Sequence, residues 1–147
     1  MPESSITFQD VIRGLRENKM ETFQKLRLNR KLLDIQSPLG ETPLHFLSIE
    51  GEADTIENLV ELGANLNSKN HFHRTALMEV VIMGNFELVK LLVKLGADLN
   101  IDTGEGETAA SLACEYKHLD IARFLVANGA SSSVQNIKGK TVSEYLK

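Results

Sequence analysis

Gly40-Glu41-Thr42-Pro43-Leu44-His45-Phe46, running on to Gly63-Ala64-Asn65-Leu66-Asn67, decides the fold, because the rest of the chain repeats it. Thr42 recurs as Thr75, Thr108 and Thr141, each 33 residues after the last. The pair Gly63-Ala64 recurs at the same interval as Gly96-Ala97 and Gly129-Ala130, and Gly51 recurs as Gly84 and then as Lys117. Three markers on one fixed period mean a stacked repeat.

Each unit reads as two helices. Thr42 can cap a helix through its hydroxyl. Pro43 is pre-set for the first helical position and loses no needed N–H there. Gly51 supplies the left-handed residue that ends this short helix. A second helix then runs from Ala53 to Leu62 on Ile56, Leu59, Val60 and Leu62, and Gly63 stops it. Asn65 and Asn67 suit the following turn because their side chains bond locally to backbone. In the next unit the apolar residues Phe86, Leu88, Val89, Leu91, Leu92, Val93 and Leu95 nearly encircle the second helix, which predicts the most buried place in the stack. Lys117 stands where the turn glycine is wanted, at a cost of about 1 kcal/mol if its φ is positive.

The motif Gly-x-Thr-Pro-Leu-His, a short helix, a Gly turn, a second helix and Gly-Ala-Asn-Leu-Asn resemble an ankyrin repeat. Residues 40–67 match that pattern closely; 73–100 and 106–133 match it less completely. The resemblance implies an all-α ankyrin-repeat solenoid, one domain over 1–147. Its repeats would be 34–66, 67–99 and 100–132, with a C-terminal half-repeat cap at 133–147. Residues 7–33 read as a degenerate N-terminal helix pair. Phe8, Val11, Ile12 and Leu15 have helical spacing there, Met20, Phe23, Leu26, Leu28, Leu32 and Leu33 follow, and the turn is expected at Glu17–Lys19. Asn18, 33 residues before Gly51, tolerates a left-handed conformation. End units are expected to be atypical because one face meets water. The basic cluster Lys25, Arg27, Arg30 and Lys31 reads as the solvated face of this cap, with a nuclear address or anion patch as the other reading.

The 147 residues, 42% hydrophobic, fit one ordinary domain. No apolar run is long enough to span a membrane, and the start lacks the basic-then-apolar layout of a secretion signal. One cysteine, Cys114, fits a reducing setting, so a cytoplasmic protein is expected, with the nucleus open. The net charge of −4 is uneven. Residues 1–33 hold seven Lys/Arg against four Asp/Glu, and residues 34–147 hold nine against sixteen. An acidic body argues against direct nucleic-acid binding and fits a basic protein partner. The same charge would also serve simply to keep the chain in solution.

No reactive constellation stands out. Gly104-Glu105-Gly106 lacks the strand and the later glycine of a dinucleotide fingerprint. His71 and His73 have no further ligands at zinc spacing. Cys114 and His118 have a helix break between them, and Cys114 reads as a small buried residue. The ankyrin resemblance makes His45 a structural hydrogen-bonding residue. Met78, Ser111 and Glu144 occupy its place in later units, so that network is expected to be broken. The chain is read as non-catalytic, with no cofactor and no metal.

By the same resemblance, partners bind a concave groove lined by the turn tips and the outer side of each first helix. Carried over by position, the groove takes Leu39, Glu41, Ile49 and Glu50 from the first unit. It takes His71, Phe72, Arg74, Ile82, Met83 and Asp102 from the second, and Glu105, Glu107, Glu115 and Tyr116 from the third. Ile137, Lys138 and Lys140 would extend it. Phe72, Ile82, Met83, Ile49 and Tyr116 are apolar where the repeat core does not need them, and the acids would attract a basic partner. The expected function is protein binding as an adaptor or stoichiometric inhibitor by a chain that is monomeric on its own. The alternatives are a scaffold fragment of a longer array and, further off, an enzyme built on His71/His73 or Cys114.

Overall fold

Nine helices and one short 3₁₀ turn make up the computed structural model over residues 5–147, the residues it describes. They run α1 (Phe8–Glu17), α2 (Lys19–Leu28), the 3₁₀ turn Arg30–Asp34, α3 (Pro43–Glu50), α4 (Ala53–Glu61), α5 (Ala76–Met83), α6 (Phe86–Lys94), α7 (Ala109–Glu115), α8 (Leu119–Ala127) and α9 (Val142–Tyr145). Each odd-numbered helix packs on the next odd-numbered one, forming a continuous inner row, while each of α2, α4, α6 and α8 packs on the inner helix before it. Among the described residues the only β pairing is one antiparallel bridge between Gln135 and Thr141.

The repeated threonines start the inner helices. Thr42, Thr75, Thr108 and Thr141 all sit extended at the N-cap and accept the backbone N–H three residues on. The reciprocal bond comes from the residue at the His45 position, and here the expectation needs correcting. Ser111 accepts from the Thr108 N–H at 2.8 Å and Glu144 from the Thr141 N–H at 2.6 Å, so the local half of the network survives in two later units. Only Met78, which has no acceptor oxygen, loses it. His45 does more than its counterparts. Its Nδ1 accepts from the Thr42 N–H, so Nε2 carries the proton and donates to the Arg74 carbonyl at 3.0 Å. That bond crosses from the first unit into the second.

Gly51 and Gly84 end their helices in the left-handed region, and Lys117 adopts the same conformation at φ 64°. The second-helix endings expected at Gly63, Gly96 and Gly129 also hold, with Ala64, Ala97 and Ala130 buried beneath the returning chain. In the cap, the turn falls at Asn18 as expected but by another device. Asn18 has φ −145°, outside the left-handed region, and its side chain caps α2 by accepting from the Glu21 N–H. Of the apolar residues assigned to the cap, Met20 and Leu28 are exposed. The basic side chains Lys25, Arg27, Arg30 and Lys31 are exposed, and Lys25 pairs with Glu21 at 2.6 Å.

The most buried helices are the inner α5 and, above all, α7, not α6: in α7 every residue from Ala109 to Cys114 is buried. Ala76, Leu77, Met78, Val80 and Val81 are all enclosed, because an inner helix has neighbours before, behind and outside it. In α6 only Leu88, Val89 and Leu92 are buried. Its outer side meets solvent as in every unit. Phe86 there packs edge-on against Phe124, with ring centres 5.4 Å apart, and carries the Lys90 ammonium over its face. Cys114 falls on the register shared with Ser48 and Val81, and all three are buried. This is a place for a small core side chain, and burial pushes the Cys114 thiol pKa up, away from thiolate chemistry.

Two outcomes follow. Burial holds the His45 pKa below its ordinary value, so the folded state keeps the imidazole neutral. The unfolded chain then binds more protons, and stability is lost as pH falls below about 6.5. His45→Ala is expected to cost about 2–4 kcal/mol at neutral pH and to remove this stretch of pH dependence; urea melts between pH 7.5 and 5 check both. Lys117→Gly is expected to stabilise by up to about 1 kcal/mol, read as a shift in the urea midpoint at unchanged slope.

Candidate protein-binding groove

The turns between units project as four tips of identical wiring. In each, the N–H of residue 37, 70, 103 or 136 donates to the carbonyl four residues on, at 2.9 Å. The side chain at that first position organises the turn. Ser37 Oγ accepts from the N–H groups of Leu39 and Glu41, Asn70 Oδ1 from Phe72 and Arg74, and Asn136 Oδ1 from Lys138 and Lys140. Sequence reading missed these residues. The signal was present: Ser, Asn, Thr and Asn recur on the 33-residue period, each short and polar. Thr103 departs from the pattern, because its hydroxyl is buried and has no hydrogen-bond partner.

Each tip closes through a left-handed residue: Gly40, His73, Gly106 or Gly139. At Gly40 a second constraint applies. A Cβ there would lie 2.8 Å from the backbone N of His71 and closer still to its ring. His71 is therefore packed onto the first tip, and its N–H donates to the Leu39 carbonyl at 2.9 Å. The His71 ring, expected to face a partner, makes this contact between tips and stays exposed. His118 behaves likewise on the other side, where its ring covers Gly84 and its Nε2 lies 3.2 Å from the Ile82 carbonyl. Among the described residues no group of three or more His, Cys, Asp or Glu is placed to hold a metal.

The other expected groove residues divide. Leu39, Ile49, Phe72, Met83 and Tyr116 are exposed, as is Ile137 beyond them; Phe72 keeps 58% and Met83 52% of its surface. Ile82 is half-buried and packs against the core, which corrects only the expectation that the core does not need it. Glu50 is engaged by the cap, paired with Arg16, whose guanidinium also lies over the Phe46 ring. Glu41 accepts from Ser37 Oγ at 3.2 Å, and Asp102 accepts from the Gly104 N–H within its own tip. Lys69, also missed, ties the second tip to the third by donating to the Asp102 carbonyl at 2.7 Å.

Two adjoining cavities open at the third unit, with Arg74 and Glu107 in the wall of both. One, of about 430 Å³, lies between the second and third tips against Lys69, Phe72, His73, Thr103 and Glu105. The other, of about 400 Å³, is bounded by Leu112, Glu115, Tyr116 and Ile137. Partial burial raises the Glu107 pKa first, and its hydrogen bond with Glu115 and that carboxylate's charge raise it further, against the pull of Arg74. Glu115 also meets Lys138 from the fourth tip, at 2.8 Å.

The helix–turn–helix period, the left-handed turns and the capped inner row agree with a comparison against protein families. The family described as ankyrin repeats (3 copies) matches residues 12–103 and 49–138. The chain belongs to the ankyrin-repeat family. Ankyrin repeats are generally protein–protein interaction modules. A search of curated proteins found no match. No helix among the described residues of this ankyrin-repeat protein is long and apolar enough to cross a membrane.

Glu107 yields a test of the site's electrostatics. A carboxyl whose pKa is higher in the fold than in the unfolded chain contributes stability while protonated. That contribution is lost as pH rises from the ordinary value near 4.5 through the raised one. Glu107→Gln is therefore expected to raise the melting temperature at pH 7 relative to the native chain, with the difference vanishing in acid, where native Glu107 is neutral too. Paired thermal melts at the two pH values check the sign.

Proposed function

We propose that this ankyrin-repeat protein binds another protein along the tips and the exposed ends of the inner helices, acting as an adaptor or as a stoichiometric inhibitor that covers a partner's surface. The observation that carries this reading is the run of exposed Leu39, Phe72, Met83, Tyr116 and Ile137 beside the half-buried carboxylates Glu107 and Glu115. Apolar and aromatic anchors concentrate binding energy, and the surrounding acids favour a basic partner and speed its approach. The unpaired, buried Cys114 agrees with a reducing, cytoplasmic setting. The chain acts as a monomer that meets its partner one to one, without a reaction of its own.

The deciding experiment is capture from a lysate of the source organism with the native chain and with Phe72→Glu/Met83→Glu, circular dichroism confirming that both are folded. A partner held by the native chain and weakened at least about 100-fold by the double variant is expected, as for the loss of two anchor residues. A partner retained equally by both would overturn the groove reading.

A further inference from the structure

The cleft around Glu115 carries a more specific assignment, resting on the groove reading above. The Glu115 side chain is only 18% exposed, whereas the Lys138 side chain that neutralises it is 61% exposed and reaches back from the neighbouring tip. These two sides of the ion pair are unequal. An exposed lysine gains little from such a contact, because solvent screens it, so its release costs little. A largely enclosed carboxylate left without any cation is disfavoured. Glu115 thus favours a cation beside it, but not that particular one.

The surroundings describe the cation's attachment. Glu105, Glu107 and Glu115 gather near Arg74 and Lys138, with Glu107 feeling the charge of Glu105, Glu115 and Arg74, and Lys138 feeling that of both Glu115 and Glu107. Withdrawing Lys138 leaves three carboxylates against the Arg74 guanidinium and the Lys69 ammonium, which is engaged by the Asp102 carbonyl, a deficit that one incoming cation reduces. The adjoining cavity, which shares the Arg74 and Glu107 wall, is lined by Thr103, whose buried hydroxyl has no partner. Tyr116 and Ile137 supply apolar walls, both more than two-fifths exposed.

We propose that the partner presents a lysine or arginine beside an apolar residue, that this cation displaces Lys138 from Glu115 and is received by Glu115 and Glu107, and that the apolar neighbour rests on Tyr116 and Ile137. Lys138 is then an internal stand-in for the partner's side chain. It keeps the carboxylate neutralised in the free protein and sets a threshold that weakly basic surfaces do not pass. Charge complementarity at a site with one enclosed carboxylate selects a single basic side chain over a diffuse basic surface.

The test uses the full chain and a random-peptide library selected at low salt. Selected peptides are expected to share one lysine or arginine next to an apolar residue. Affinity for one such peptide should fall about 10-fold or more in Glu115→Gln and rise about 3-fold or more in Lys138→Ala, while Glu61→Gln on the outer row leaves it unchanged. Melting curves confirm that each variant is folded. Peptides without a shared basic position overturn the proposal, as does binding indifferent to Glu115→Gln or weakened by Lys138→Ala. If those peptides are still lost in Phe72→Glu/Met83→Glu, the cation site falls and the groove reading stands. Selection of no peptide, or of peptides indifferent to every variant, overturns both.

Discussion

Everything in this protein hangs on the burial of one inner helix against the next. A unit of two short helices encloses too little apolar surface to fold alone, so its stability comes from its neighbours. The chain shows where that burial is concentrated. Leu44 and Leu47 of α3, Leu77, Val80 and Val81 of α5, and Leu112 with Ala113 of α7 are almost fully removed from water. Each large aliphatic side chain so enclosed contributes about 1.5–3 kcal/mol. The tips and helix ends are held in place by this row, and they are free to vary because it does not need them.

The sequence made the skeleton readable because the residues that set it are conformationally demanding. Threonine before an apolar run, glycine where φ must be positive and alanine under a returning chain each have few alternatives, and each recurs every 33 residues. Burial around α6 was misread because apolar count is not enclosure. Phe86, Leu91 and Val93 are only partly buried against the core, and Phe86 also rests edge-on against Phe124 of the next outer helix. Asn18 was placed correctly and explained wrongly, since a capping side chain does there what a left-handed turn does at Gly51.

The groove was legible at coarser grain. Phe72, Met83 and Tyr116 could be picked out because they are apolar at positions that point away from the core. What one residue does to another was not legible. Nothing in the sequence says that His71 is packed on Gly40, that Glu50 is taken by Arg16 thirty-four positions earlier, or that Lys138 reaches Glu115. These are contacts between units, where small differences in tip shape decide which side chains meet. The organising residues Ser37, Asn70, Thr103 and Asn136 lay within reach of the period itself, but short polar side chains in a turn attract less notice than glycines do.

The third tip differs from its neighbours in a way that bears on how the surface would meet a ligand. It holds two glycines in the left-handed region, Gly104 and Gly106, and its organising hydroxyl makes no bond. The second tip, by contrast, is held by the Asn70 side chain, which bonds two of its own N–H groups and also donates to Glu79. The two walls of the cavity are therefore shaped by different means, the second tip by the hydrogen bonds of a side chain and the third by glycine φ, backbone bonds and Asp102 on the Gly104 N–H. A ligand between them meets two turns of the same backbone form, one that depends on a single amide side chain and one that depends on the lack of a Cβ at positive φ.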